Sequence, residues 1–208
     1  MSIAQSLAGF QTCLAQCDSL IASAHRTDAG GQNIFPQRDR EQITVAAFLN
    51  MFIAWEEFIE AAFGDFMMGD VTIGGTKPVK FVSPPTRDHS VKMVIHTHRF
   101  FDFAHHDNVR KLAGLYFQGG YPFDPTLSSI TAELQDLKTI RNSCAHLSSS
   151  TRRALESLAG RIMGQPQPGI GVYQLLISVD PRVAANNSTV YSAYRDKLIA
   201  AATSIATG

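Results

Sequence analysis

Between Ile43 and Trp55 the chain reads ITVAAFLNMFIAW, a run that is apolar on nearly every side of a helix rather than along one stripe. Such a helix cannot lie on a surface and must be covered from more than one direction. Asp39 offers an N-cap ahead of it, and the helical pattern continues through WEEFIE to about Phe66. One cover is the chain's own core, and the other is open to a partner subunit. The apolar run is too short for a membrane span and contains Thr44 and Asn50, so no membrane association is expected. With 208 residues the chain can build a core around this helix without disulfides or metal. One domain, residues 1–208, is the expectation.

Helical spacing recurs on both sides. Residues 3–24 carry Ile3, Leu7, Phe10, Leu14, Cys17 and Ile21 on one stripe, and TDAGGQNIFPQ (27–37) reads as a loop. Residues 88–100 are ambiguous, with a short helix as one reading. Asp107 can cap NVRKLAGLYFQ, which stops at Gly119-Gly120. Asp124-Pro125 opens a further helix whose apolar positions Leu127, Ile130, Leu134, Leu137 and Ile140 lead into RNSCAH. TRRALESLAGRIM is a fifth, and Ser188 can cap a last helix to about residue 205. Two segments break the pattern. VTIGGTKPVKFV (71–82) suggests a hairpin limited to an edge by Pro78, and GVYQLLISV (171–179) reads as a strand that joins it. The predicted class is mainly α, a helical bundle with a small β-hairpin and strand insertion.

Eighteen basic and eighteen acidic side chains leave no net charge, which excludes a grip on nucleic acid or membrane through bulk charge alone. The distribution is polarised, however. Residues 39–70 hold Asp39, Glu41, Glu56, Glu57, Glu60, Asp65 and Asp70 against Arg40 alone, whereas residues 138–161 hold Lys138, Arg141, Arg152, Arg153 and Arg161 against Glu156. Cys13, Cys17 and Cys144 are odd in number and lack zinc-ligand spacing. The first twenty residues have no basic n-region or long apolar core of a secretory signal. A reduced, cytoplasmic protein is expected.

The chemistry gathers in Arg141-Asn142-Ser143-Cys144-Ala145-His146, where the best-patterned helix meets a serine-rich loop. Asn142 and His146 are four residues apart and share a helix face, while Arg141 lies about 100° round from Asn142. A helix C-terminus favours a protonated imidazole. A guanidinium that holds phosphate, beside an imidazole that titrates near neutrality, suits phosphodiester cleavage. The competing reading is a C-terminal cation with a histidine that caps its own helix.

Arginine, a polar residue, then histidine at this spacing resembles the signature of the HEPN-domain ribonucleases and toxins, of the RiboL-PSP-HEPN type. The long helix 39–66 with WEEFIE at its centre is similar to the second helix of that family. The resemblance implies a HEPN-like helical bundle, a homodimer whose two motifs face one cleft, and metal-independent endonucleolytic cleavage of an RNA substrate without a cofactor. His146 would act as general base or acid, Arg141 would stabilise the phosphorane, and Asn142 would orient His146 or the phosphate. Glu57 or Asn50, on one face of the second helix, or Glu56, would support the motif. Lys138, Arg152 and Arg153 would contact RNA. Family members act as toxins or in phage defence, and some are held inactive by an antitoxin or other protein partner. Where some carry a tyrosine that is modified, this chain has Ser148. A catalytically inactive HEPN-like module that binds nucleotide, RNA or protein is the alternative.

Other candidates are weaker. His89, His96, His98, His105 and His106 form a histidine-rich stretch without a recognised metal spacing. GGTK (74–77) and GIGV (169–172) lack a phosphate-loop pattern and read as turns. Ser148–Ser150 read as a loop or as the N-cap of the next helix. The phenylalanines around RFFDFAHH read as core packing before base stacking.

Overall fold

The computed structural model describes residues 2–95, 102–146, 148–183 and 187–208. The described residues form nine α-helices with isolated β-bridges between them, so the mainly α class expected from the sequence holds. The helices are α1 (Ile3–Ala24), α2 (Gln37–Met68), α3 (Arg87–Ile95), α4 (His106–Tyr116), α5 (Phe123–Ser129), α6 (Thr131–Ala145), α7 (Ser149–Met163), α8 (Val172–Ile177) and α9 (Val190–Thr207). Two compact units account for the described residues. One takes Met1–Thr12, Ala54–Thr131 and Leu198–Gly208; the other takes Cys13–Ile53 and Ala132–Lys197.

Helix α2 has the length and composition of a membrane-crossing helix, a property it shares with core helices. Within this chain Phe48, Met51, Phe52, Trp55, Phe58 and Ile59 are all buried, and Ala46, Asn50, Ile53 and Glu57 are exposed. Each large side chain so buried contributes about 1.5–3 kcal/mol. The helix starts at Gln37, behind Pro36, so Asp39 lies in its first turn rather than at the cap. There its charge still complements the helix dipole.

The first unit is organised by aromatic contacts. Phe63 stands 5.0 Å from Phe123 and 5.2 Å from Phe117, and Phe10 stands 5.4 Å from Phe58, ring centre to ring centre. Two acids of the run are engaged here: Asp65, fully buried, pairs with Arg87 and accepts from Ser6 Oγ at 2.8 Å, and Asp70 accepts the first free N–H of α1 from Ile3 at 3.2 Å. Segment 71–82 is not a hairpin. Its backbone pairs elsewhere: Ile73 and Gly74 N–H go to Ala206 O and Thr207 O at 2.8 and 3.1 Å, and residues 79–81 run beside 116–118 with one bridge, Lys80 to Phe117. The open carbonyls at the end of α9 offered acceptors that the segment's own other half did not.

The second unit buries Leu14, Phe48, Leu137, Ile140, Leu158, Ile162, Leu175, Leu176 and Tyr194. Within residues 171–179, expected as a strand, Val172–Ile177 form α8 instead, with Leu175 N–H bonding Gly171 O at 3.1 Å, and only Val179 makes a bridge, to Thr189. Tyr173 and Leu176 are both buried and three apart, a helical spacing that the β-branched ends of the segment obscured.

The helix expected from Asp124 through Ile140 is two helices. Ile130 breaks it, at φ −121° and ψ 22°. Around the break, Ser129 Oγ donates to Thr126 O at 2.7 Å and Thr131 Oγ1 to Leu127 O at 3.1 Å. Hydroxyls that compete for main-chain carbonyls weaken a helix where they cluster. Asp107 also lies inside the first turn of α4 rather than at its cap, and at α9 it is Thr189 Oγ1, not Ser188, that accepts from Ser192 N–H at 3.2 Å.

Candidate functional site

Helix α6 turns Leu134, Leu137 and Ile140 inward, which leaves Arg141 exposed and Lys138 and Asn142 half-buried on the other side. Arg141 Nη1 donates to Asn142 Oδ1 at 3.3 Å. Asn142 therefore holds the guanidinium through its side chain and His146 only through its backbone, whose N–H bonds Asn142 O at 3.0 Å. The expected orientation of the imidazole by the Asn142 side chain is not what forms.

His146 ends the helix and is exposed; among the described residues its ring has no hydrogen bond. It does not cap its own helix through the ring. Its carbonyl accepts from Thr151 Oγ1 at 2.6 Å, so the connection from α6 to α7 is tied at this residue. Ser148 caps α7, its Oγ accepting from Thr151 N–H at 3.2 Å. Burial pushes the Cys144 thiol up to about 11, with the Arg141 charge acting the other way, and Sγ donates to Ile140 O at 3.2 Å.

Beside His146 lies a cleft of about 290 Å³. One wall is the end of α6 with Ser143 and His146, the second is the start of α7 with Thr151, Arg152 and Leu155, and the third is the loop Gly169–Val172. Glu156 Oε1 accepts Gly169 N–H at 2.8 Å and ties that loop to α7. Arg152 reaches the cleft; Arg141 and Arg153 are not among its wall residues. His146 and Arg152 thus share this cleft, and Arg141 stands outside its walls.

Of the five cations between 138 and 161, Arg161 is neutralised. Asp136, just outside that window and buried, pairs with it and also accepts Tyr194 Oη at 2.7 Å. The hydrogen bond with Asp136 holds the Arg161 guanidinium above its usual range, and burial followed by the Asp136 charge does the same to the Tyr194 hydroxyl. Lys138, Arg141, Arg152 and Arg153 take part in no ion pair among the described residues. Asn50 is exposed on α2 within the motif's unit, whereas Glu57 is exposed on α2 within the other unit and Glu56 is half-buried there. His89 is exposed with Nδ1 2.8 Å from Thr86 Oγ1, the rings of His105 and His106 stack at 6.1 Å, and His96 and His98 lie outside the described residues. Among the described residues no three His, Cys, Asp or Glu side chains gather to hold a metal ion.

No family model, curated protein or solved structure matches this chain. The functional reading therefore stands on the motif and its surroundings. Sequence reasoning passed over Ser143 and the GIGV loop, because the cleft joins positions more than twenty residues apart. Two glycines flanking an isoleucine, placed soon after a basic helix, were the only available signal.

Proposed function

We propose that the chain is a metal-independent endoribonuclease of HEPN type, active as a homodimer and serving as a toxin or phage-defence effector. The observation that carries this reading is an exposed His146 at the end of α6, lining a cleft with an unpaired Arg152 while the unpaired Arg141 stands on the same helix end. An imidazole takes the proton from a ribose 2′-hydroxyl as its oxygen attacks the adjacent phosphorus. The 5′-oxygen leaves with a proton from a second imidazole, giving a 2′,3′-cyclic phosphate and a free 5′-hydroxyl. A guanidinium stabilises the charged phosphorane between these steps. One chain offers one His146, and a second copy supplies the other imidazole and sets its Arg141 against the shared substrate.

The split between Arg141 and the His146 cleft favours one alternative, a module that binds nucleotide, RNA or protein without cleavage. The two readings part in one experiment. Purified chain is incubated with a mixed-sequence RNA, with and without EDTA, beside Arg141→Ala and His146→Ala. Cleavage that survives EDTA and is lost in both variants, with circular dichroism unchanged, is expected. Chelator-sensitive cleavage, or full activity in both variants, overturns the enzyme; RNA bound but never cut leaves the binding module.

A further inference from the structure

Two hydroxyls of the His146 cleft, those of Ser143 and Thr151, have their hydrogens engaged by main-chain carbonyls, while His146, Ser148 and Arg152 line the same cleft and can donate. Ser143, only 7% exposed, spends its single hydrogen on Thr139 O at 2.9 Å, with Thr151 O at 3.3 Å as a second acceptor. Thr151 spends its hydrogen on His146 O at 2.6 Å, with Ser148 O at 3.0 Å as a second acceptor and Ser148 Oγ beside it at 3.1 Å. A hydroxyl has one hydrogen and two lone pairs, so both side chains can only accept from a ligand. Ile170 and Val172 give the facing loop an apolar surface, and Arg152 supplies the cation at the rim. A cleft of about 290 Å³ is at the small end of ligand sites and holds one flat ring with its attachment.

An apolar face, hydroxyl acceptors and a guanidinium together describe a nucleotide whose base edge carries N–H donors. Adenine and cytosine present an exocyclic amine; uracil sets two carbonyls around a single N–H, and those carbonyls would face lone pairs. Resting on the ribonuclease reading above, we propose that this cleft is a base-selecting subsite that takes one unpaired nucleotide with an amino-bearing base and rejects uracil. Ser143 and Thr151 accept from the amine, Ile170 packs on the ring, and Arg152 holds the phosphate. A base still paired in a duplex has its amine engaged and its faces stacked, so it cannot enter.

The test is calorimetric binding of CMP and UMP to the intact chain, repeated on Ser143→Ala and Thr151→Val, alongside cleavage of an all-uridine oligonucleotide and of the same strand with one cytidine. CMP binding at least about tenfold tighter than UMP is expected, the size of one good hydrogen bond. In Ser143→Ala the ratio falls to within about twofold, and Thr151→Val, which keeps the shape, gives the same result if Ser143→Ala fails to fold. Equal binding of CMP and UMP, or a ratio untouched by folded variants, overturns the subsite; strand cleavage blind to the cytidine then leaves the ribonuclease standing without it. Selective CMP binding without any RNA cleavage overturns the ribonuclease and keeps the subsite. Neither binding nor cleavage overturns both.

Discussion

The two ends of α6 treat charge in opposite ways. Near its start, Asp136 is buried, and both Arg161 and Tyr194 reach it. At its end, Arg141 and His146 are exposed and have no ion partner among the described residues. A charge that folding has buried must be answered, or several kcal/mol are lost. A charge left in water costs folding little and is available for something else. Charged side chains on one helix, Asp136 and Arg141 about one turn and a half apart, thus sort into those that hold the unit together and those that folding does not use.

Mutations that exchange the roles of these two ends break or sharpen the contrast. The largest effect is expected for His146→Ala, a loss of RNA cleavage of at least about 100-fold with the denaturation midpoint nearly unchanged. Asp136→Ala is its mirror: a loss of about 3 kcal/mol in urea unfolding, because Tyr194 Oη is left buried without an acceptor. Tyr194→Phe removes one bond to the carboxylate and is expected to cost about 1.5 kcal/mol by the same measurement. Ser148→Ala, which uncaps α7 at a residue that itself lines the cleft, should cost about 1 kcal/mol. Smallest is Arg153→Ala, with unchanged stability and a fall of about one in the slope of RNA affinity against salt. If Asp136→Ala left stability alone while abolishing cleavage, the proposed division of labour along α6 would be wrong.

The sequence showed these ends unequally. The apolar register of α6 places Leu134, Leu137 and Ile140 inward, and the exposure of Arg141 follows from the same register. Arg161 looked like part of a basic patch because its partner stands twenty-five residues upstream, and pairing across helices leaves no trace in local composition. The turn at 169–172 is equally silent in the sequence: its glycines match no phosphate loop, and its place beside His146 is set by tertiary packing and by Glu156. The predicted hairpin failed for a related reason, since residues 71–82 found their hydrogen-bond partners at the end of α9 and at 116–118. Local pattern located the longer helices well but missed α8 and the breaks; Ile130 has the right spacing to continue a helix, and the hydroxyls around it explain the interruption.

The tie between Thr151 Oγ1 and His146 O has a consequence for conformational entropy. With its N–H held by Asn142 O and its carbonyl by Thr151, the His146 backbone has little freedom to lose when a ligand arrives. Only the two side-chain torsions of the imidazole remain to be fixed, an ordering cost of about 0.5–1.5 kcal/mol. A histidine on an untied loop would add the cost of freezing its backbone, about 1–2 kcal/mol per residue. Folding of the α6–α7 turn has met that part in advance, and a bound strand need only choose a rotamer.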